Sequence, residues 1–181
     1  VSPGTTTGWV EHLTPPQQRA AVLAAVAPRQ PLQPLGERLF ELALLVWLAP
    51  QVGLPGSRSH LYTLALARLL EMPPEQLGSS LEVAELQLLA AYDERPTRAH
   101  PAMVASDSAG RLFFRHPQLR RYLAARQLLS EDRIDLLGGI APAEQAELAL
   151  LLNGMLVDPL QLYPLLWQAA RTSAEPILTL G

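Results

Sequence analysis

Prolines divide this chain into short apolar segments, and that division restricts what the chain can fold into. The sequence has 17 prolines among 181 residues, yet 49% of its residues are hydrophobic. A proline is tolerated in the first turn of an α-helix and ends or kinks a helix elsewhere. Within the segments, apolar residues recur at the three- and four-residue spacing of an amphipathic helix. The pattern predicts helices over 16–27, 35–49, 58–71, 81–93, 117–129, 130–137, 142–156 and 159–171.

The helical spacing stops between residues 95 and 116, where the sequence indicates a β-hairpin. Residues 102–105 and 111–114 favour extended backbone, and the polar run 106–110 between them favours a turn. His116 then stands at a strand-to-helix junction, because Pro117 suits the first turn of the next helix. A helix, a hairpin and a second helix in this order resemble a winged-helix arrangement.

The last two predicted helices form an antiparallel helical hairpin, the unit from which solenoid repeats are stacked. Asp158 is the predicted N-cap of the second helix. Leu148, Leu151, Leu152 and Met155 are expected to face Leu162, Leu165, Leu166 and Ala169. The predicted fold class is therefore mainly α: a helical domain, a winged-helix domain with one small β-hairpin, and an antiparallel helical hairpin.

Composition excludes several chemistries. All 14 positively charged side chains are arginines, because the sequence contains no lysine, so a G-x-x-x-x-G-K-[ST] phosphate loop and a Schiff-base lysine are excluded. There are no cysteines, which excludes disulfides, thiolate nucleophiles and cysteine-based zinc sites. The net charge of -3 disfavours a nucleic-acid partner. The longest apolar run, 42–50, falls well short of the roughly 20 residues of a membrane span, so no membrane partner is expected.

Serine and threonine residues mark the expected helix starts. We predict Thr14, Ser57 or Ser59, and Ser130 as N-caps, and a Ser-x-x-Glu capping box from Ser79 to Glu82.

A few polar and aromatic residues stand out within the apolar segments. A buried Glu41 would need a partner, with Arg38 and Arg68 the nearest candidates, unless it lies at the helix edge. His12, His60 and His100 are scattered without the spacing of metal ligands. The tryptophans are expected in the core or an interface; they are Trp9, Trp47 and Trp167.

Three local motifs resemble NACHT-type (STAND) NTPases. Leu54 to Tyr62, followed by a helix ending in paired leucines, is similar to the family's "LP-x-x-R-x-x-L-Y" segment. Phe114-Arg115-His116, then Tyr122-Leu123-Ala124-Ala125, is similar to its "F-x-H…E-Y-L-A-A" signature. The helical hairpin that follows resembles HEAT-like repeats. Two positions depart from the family: Arg120-Arg121 replace Gln-Glu, and Phe40-Glu41 stand where Asn-Pro is usual.

The resemblance implies a cytoplasmic fragment that follows an NTPase core: a helical domain (1–72), a winged-helix domain (73–129) and the start of a repeat region (130–181). This fragment is non-catalytic by itself and holds no cofactor alone, whereas its full-length parent would bind ADP or ATP. His116 would contact the β-phosphate of ADP and hold the closed, inactive state. The implied partners are the upstream NTPase domain and proteins bound through the repeats.

Other interpretations stay open. His116 could simply bond a local backbone carbonyl at the helix start. A basic cluster around the hairpin could bind a partner or DNA, or form a solvated helix face, with Arg120 and Arg121 paired to Glu131, Asp132 or another domain; its members are Arg115, Arg120, Arg121 and Arg126. Two alternative functions follow: a stand-alone helical interaction module without nucleotide, and a winged-helix DNA-binding protein.

Overall fold

The computed structural model describes residues 3–27, 38–97, 100–134, 142–156, 159–164 and 167. In these ranges the chain is mainly helical with one small antiparallel β-hairpin, which confirms the predicted fold class. The α-helices are α1 (Pro3–Leu13), α2 (Pro16–Ala25), α3 (Leu39–Val52), α4 (Arg58–Leu69), α5 (Leu81–Tyr92), α6 (Pro117–Ser130) and α7 (Pro142–Asn153). The strands are β1 (Val104–Ser106) and β2 (Leu112–Phe114), and 3-10 turns cover Pro74–Gln76 and Pro159–Leu162.

The chain divides into two compact units, unit 1 (Val1–Pro74) and unit 2 (Glu75–Gly181). Each unit has buried apolar side chains of its own. The finer division of the second part into a winged-helix domain and a repeat region stays a prediction.

In unit 1, α3 packs against α4, and both α1 and α2 pack against α3. The core is formed by fully buried leucines on α3 and α4, among them Leu42, Leu45, Leu61 and Leu66. Unexpectedly, α3 continues through Pro50 to Val52, since a proline in the last turn breaks only one backbone hydrogen bond.

Helix α1 is absent from the sequence prediction. Its sequence, PGTTTGWVEHL, contains two glycines and three threonines, which have low helix propensity. Val10 is completely buried, and α1 contacts α2 and α3. Tertiary packing therefore stabilises a helix that local propensity disfavours.

The helix starts confirm one predicted cap and correct three. Ser57 caps α4, and its hydroxyl accepts a hydrogen bond from the His60 N–H at 3.1 Å. Thr14 does not cap α2, which begins at Pro16 with Pro15 as N-cap. Ser80, not Ser79, caps α5, so Glu82 is one position too early for a capping box. Ser130 is the last residue of α6, and its hydroxyl donates to the Gln127 carbonyl.

Unit 2 is built on α6, which packs against α5, α7 and β2. The hairpin is where the sequence predicts it, with Val104 paired to Phe114 and Ser106 to Leu112. Val104 and Phe114 are buried, so the hairpin adds apolar surface to the helical core.

The hairpin turn is closed by Asp107 and Gly110. The Asp107 carboxylate accepts hydrogen bonds from the backbone N–H groups of Ala109 and Arg111, both at 2.9 Å, and pairs with the Arg111 side chain. These hydrogen bonds, that of the Arg111 N–H above all, lower the pKa of Asp107. Gly110 has a φ of 74°, in the left-handed region that disfavours residues with a Cβ.

We expect Gly110→Ala to lower the free energy of unfolding by about 1 kcal/mol, because alanine is strained at a left-handed φ. Gly78→Ala is the matched control, because neither glycine has a neighbouring atom within 4 Å of an added Cβ and only Gly110 has a positive φ. Urea denaturation of the two variants measures the difference. Equal stability of the two variants would contradict the backbone explanation.

The predicted C-terminal helical hairpin is only partly described. Leu148, Leu151, Leu152 and Leu162 are buried, and the 3-10 turn Pro159–Leu162 contacts α7. The predicted N-cap and three of the facing residues, Asp158, Leu165, Leu166 and Ala169, lie outside the described residues. No helix in the described ranges is both long and apolar enough to cross a membrane.

Candidate functional site

His116 occupies the junction between β2 and α6. It is the N-cap residue of α6, in extended backbone (φ −127°, ψ 103°), and its carbonyl accepts a hydrogen bond from the Arg120 N–H at 3.1 Å. Its side chain is half-buried and does not cap the helix. The imidazole is therefore held beside a helix N-terminus, where N–H groups and the helix dipole favour an anion.

Three of the four clustered arginines make contacts within unit 2. The Arg115 side chain donates to the Pro101 carbonyl at 2.7 Å. Arg120 donates to the Ala90 carbonyl at 3.3 Å and to the Asp93 carboxylate at 3.0 Å. Arg126 donates to the Tyr122 hydroxyl at 3.1 Å, with its guanidinium 5.8 Å from the centre of that ring.

Arg121 differs from the other three. Among the residues that the structure describes, its half-buried side chain has no hydrogen-bond or ion-pair partner. The predicted partner Glu131 instead accepts hydrogen bonds from the Tyr92 hydroxyl and from the Gln127 side chain. The hydrogen bond to Glu131 raises the pKa of Tyr92 and lowers that of Glu131.

Glu41 is the centre of a buried polar cluster in unit 1. It is 1% exposed, and its Oε1 accepts hydrogen bonds from Arg58 Nη2 at 2.7 Å and from the Tyr62 hydroxyl at 2.8 Å. Arg38 Nη1 lies 3.8 Å away. We name Glu41, Arg58 and Tyr62 the Glu41 cluster.

Of the two predicted partners of Glu41, Arg38 is confirmed as an ion-pair partner and Arg68 is wrong. Glu41 is not at the helix edge, and Arg68 is exposed in the last turn of α4 instead of pairing with it. The main partner, Arg58, lies one turn before Tyr62, so both side chains reach Glu41 from the same face of α4. That four-residue spacing was the available sequence signal.

The Glu41 cluster includes the arginine and the tyrosine of the "LP-x-x-R-x-x-L-Y" segment. Burial, followed by the negative charge of Glu41, raises the pKa of Tyr62 far above its usual value, so the phenol stays protonated and donates to the carboxylate. Phe40 stacks on Tyr62 with ring centres 6.4 Å apart. These contacts join α3 to α4 and give the motif a structural role in this chain.

The other histidines and the three tryptophans are distributed over both units. His60 Nδ1 accepts from the Gly56 N–H and His100 Nδ1 from the Ala102 N–H. No group of three or more histidine, aspartate or glutamate side chains among the described residues could hold a metal ion. None of the three tryptophans belongs to a core, because the exposed fractions of Trp9, Trp47 and Trp167 are 40%, 38% and 59%.

Comparisons with known proteins identified no relative of this chain. The chain matches no protein-family model, and neither a curated protein nor a solved structure matches it.

Proposed function

We propose that this chain is the regulatory, non-catalytic portion of a NACHT-like signalling ATPase. In this role it closes over nucleotide bound by an upstream NTPase domain and offers helical repeats to protein partners. Movement of the unit that carries His116 away from the nucleotide would end the inactive state.

The position of His116 carries this proposal. An imidazole beside a helix N-terminus can contribute a hydrogen-bond donor to a phosphate that the helix dipole already favours. The helix–hairpin–helix order around His116 supports it, as does the earlier "LP-x-x-R-x-x-L-Y" segment in the order that the resemblance requires.

The contacts of the basic cluster favour this role over DNA binding. Arg115, Arg120 and Arg126 each donate to a group within unit 2. A protein that binds the phosphate backbone of DNA needs several positively charged side chains that are free to contact the phosphates.

The test begins with the reading frame upstream of Val1, which we expect to encode a G-x-x-x-x-G-K-[ST] motif. The polypeptide that joins that domain to this chain should bind ADP. His116→Ala should weaken ADP binding about tenfold, because one charge-assisted hydrogen bond to phosphate is lost. Isothermal titration calorimetry measures the change.

His12→Ala is the matched control, since His12 is exposed on α1 in unit 1 and the change removes the same side chain. It should leave the ADP affinity unchanged. An upstream frame without the phosphate-loop motif, or equal ADP affinity in His116→Ala and the wild type, would refute the proposal.

A helical protein-interaction module without nucleotide is the second candidate. It is favoured by large apolar side chains exposed near and beyond the end of α7, where partners could bury them. Their exposed fractions range from 56% to 74%; they are Leu150, Leu160, Tyr163 and Trp167. Protein binding that needs no nucleotide and is lost in Tyr163→Ser would support this candidate.

A further inference from the structure

Helices α5, α6 and α7 border a cleft of about 390 Å³ within unit 2. Alanines form much of its apolar lining, Ala90 and Ala91 on α5 and Ala124 on α6. Because an alanine side chain ends at Cβ, these positions leave space between the helices. The volume lies in the range of small-molecule sites, about 300–1,000 Å³.

The lining also includes Tyr92 at the end of α5 and two leucines. Leu128 comes from α6 and Leu148 from α7, and both are buried. A ligand with an apolar body would therefore bury its surface against all three helices.

The polar lining is unevenly charged. It contains two arginines, Arg120 and Arg121, and one carboxylate, Glu144. Arg120 is already held by the Ala90 carbonyl and by Asp93. Within the part of the chain that the structure describes, the side chains of Arg121 and of the exposed Glu144 make no hydrogen bond or ion pair.

We propose that this cleft binds a small carboxylate-bearing molecule with an apolar body, with Arg121 as the group that pairs with the carboxylate. A guanidinium presents two N–H groups in the geometry that a carboxylate accepts. The alanine and leucine side chains contact the apolar body of the ligand. The negative charge of Glu144 disfavours binding of the carboxylate on the α7 side of the cleft. His116 is not among the residues that line this cleft.

Octanoate is the probe, and isothermal titration calorimetry with the unmodified chain is the measurement. We expect saturable binding of octanoate and much weaker binding of octylammonium, which has the same chain length and the opposite charge. Arg121→Gln should weaken octanoate binding five- to tenfold, the effect of losing one partly exposed charge-assisted pair. Arg68→Gln removes the same charge from an exposed position in unit 1 and should have no effect.

Two further variants separate the cleft from non-specific binding. Glu144→Gln should tighten octanoate binding, because it removes the negative charge from the lining. Ala124→Leu should abolish binding by filling the space between the helices, while circular dichroism shows an unchanged fold.

Each of three outcomes would overturn the proposal. They are the absence of saturable octanoate binding to the wild type, equal affinities of Arg121→Gln and Arg68→Gln, and equal affinities for octanoate and octylammonium. Octanoate affinity that persists in a folded Ala124→Leu variant would place the ligand elsewhere and would also overturn it.

Discussion

Glu41→Gln is expected to lower the free energy of unfolding of unit 1 by about 2–4 kcal/mol. The substitution keeps the size of the side chain but leaves the largely buried guanidinium of Arg58 without its counter-charge. Removing one partner of a fully buried ion pair typically costs about 3–5 kcal/mol. We expect a slightly smaller loss, because the side chains of Arg58 and Arg38 are 15% and 41% exposed and water can partly solvate them.

Urea denaturation measures this loss. In a Trp167→Phe background, the fluorescence of Trp9 and Trp47 reports on unit 1 alone. Glu11→Gln, at an exposed position of α1, is the matched control and should change stability by less than about 0.5 kcal/mol.

A double variant tests whether the lost interaction is the ion pair itself. Glu41→Gln combined with Arg58→Met removes both charges, so its destabilisation should be smaller than the sum of the two single effects. A strictly additive result would show that Glu41 stabilises unit 1 through other contacts.

Leu123→Ala is expected to destabilise unit 2 by about 2–5 kcal/mol. Leu123 is completely buried on α6, the helix that contacts α5, α7 and β2. Truncation to alanine removes buried apolar surface and leaves a cavity among elements that relax only partly. Urea denaturation followed by circular dichroism measures the loss.

Leu81→Ala is the control for this prediction. It deletes the same atoms from the first residue of α5, where the leucine is 76% exposed, and should change stability by no more than about 0.5 kcal/mol. If the two variants were equally stable, the burial of Leu123 would not be a main source of stability in unit 2.

Much of the candidate site could be predicted from sequence. Strand propensity in Leu112 to Phe114 and a proline at 117 were sufficient to locate His116 between a strand and a helix. Both signals are local, since they depend on backbone preferences of neighbouring residues. Whether the imidazole meets a phosphate stays a prediction.

The contacts of the charged residues could not be predicted in the same way. Arg120 pairs with Asp93, 27 positions earlier, although Glu131 and Asp132 are closer along the chain. Glu41 makes its shorter contact with Arg58, 17 positions away, at 2.7 Å, whereas Arg38, three positions earlier, lies at 3.8 Å. Sequence distance does not rank such partners, because helix packing determines which charged side chains come close together.

By itself, the sequence determined the helical class, the hairpin and most helix starts, since proline and apolar spacing act over a single turn of chain. Tertiary structure alone decided the existence of α1, the burial of Glu41 and the cleft beside Arg121. Each of these depends on side chains from separate helices coming together, and the free energy of that burial exceeds the local preferences that the sequence expresses.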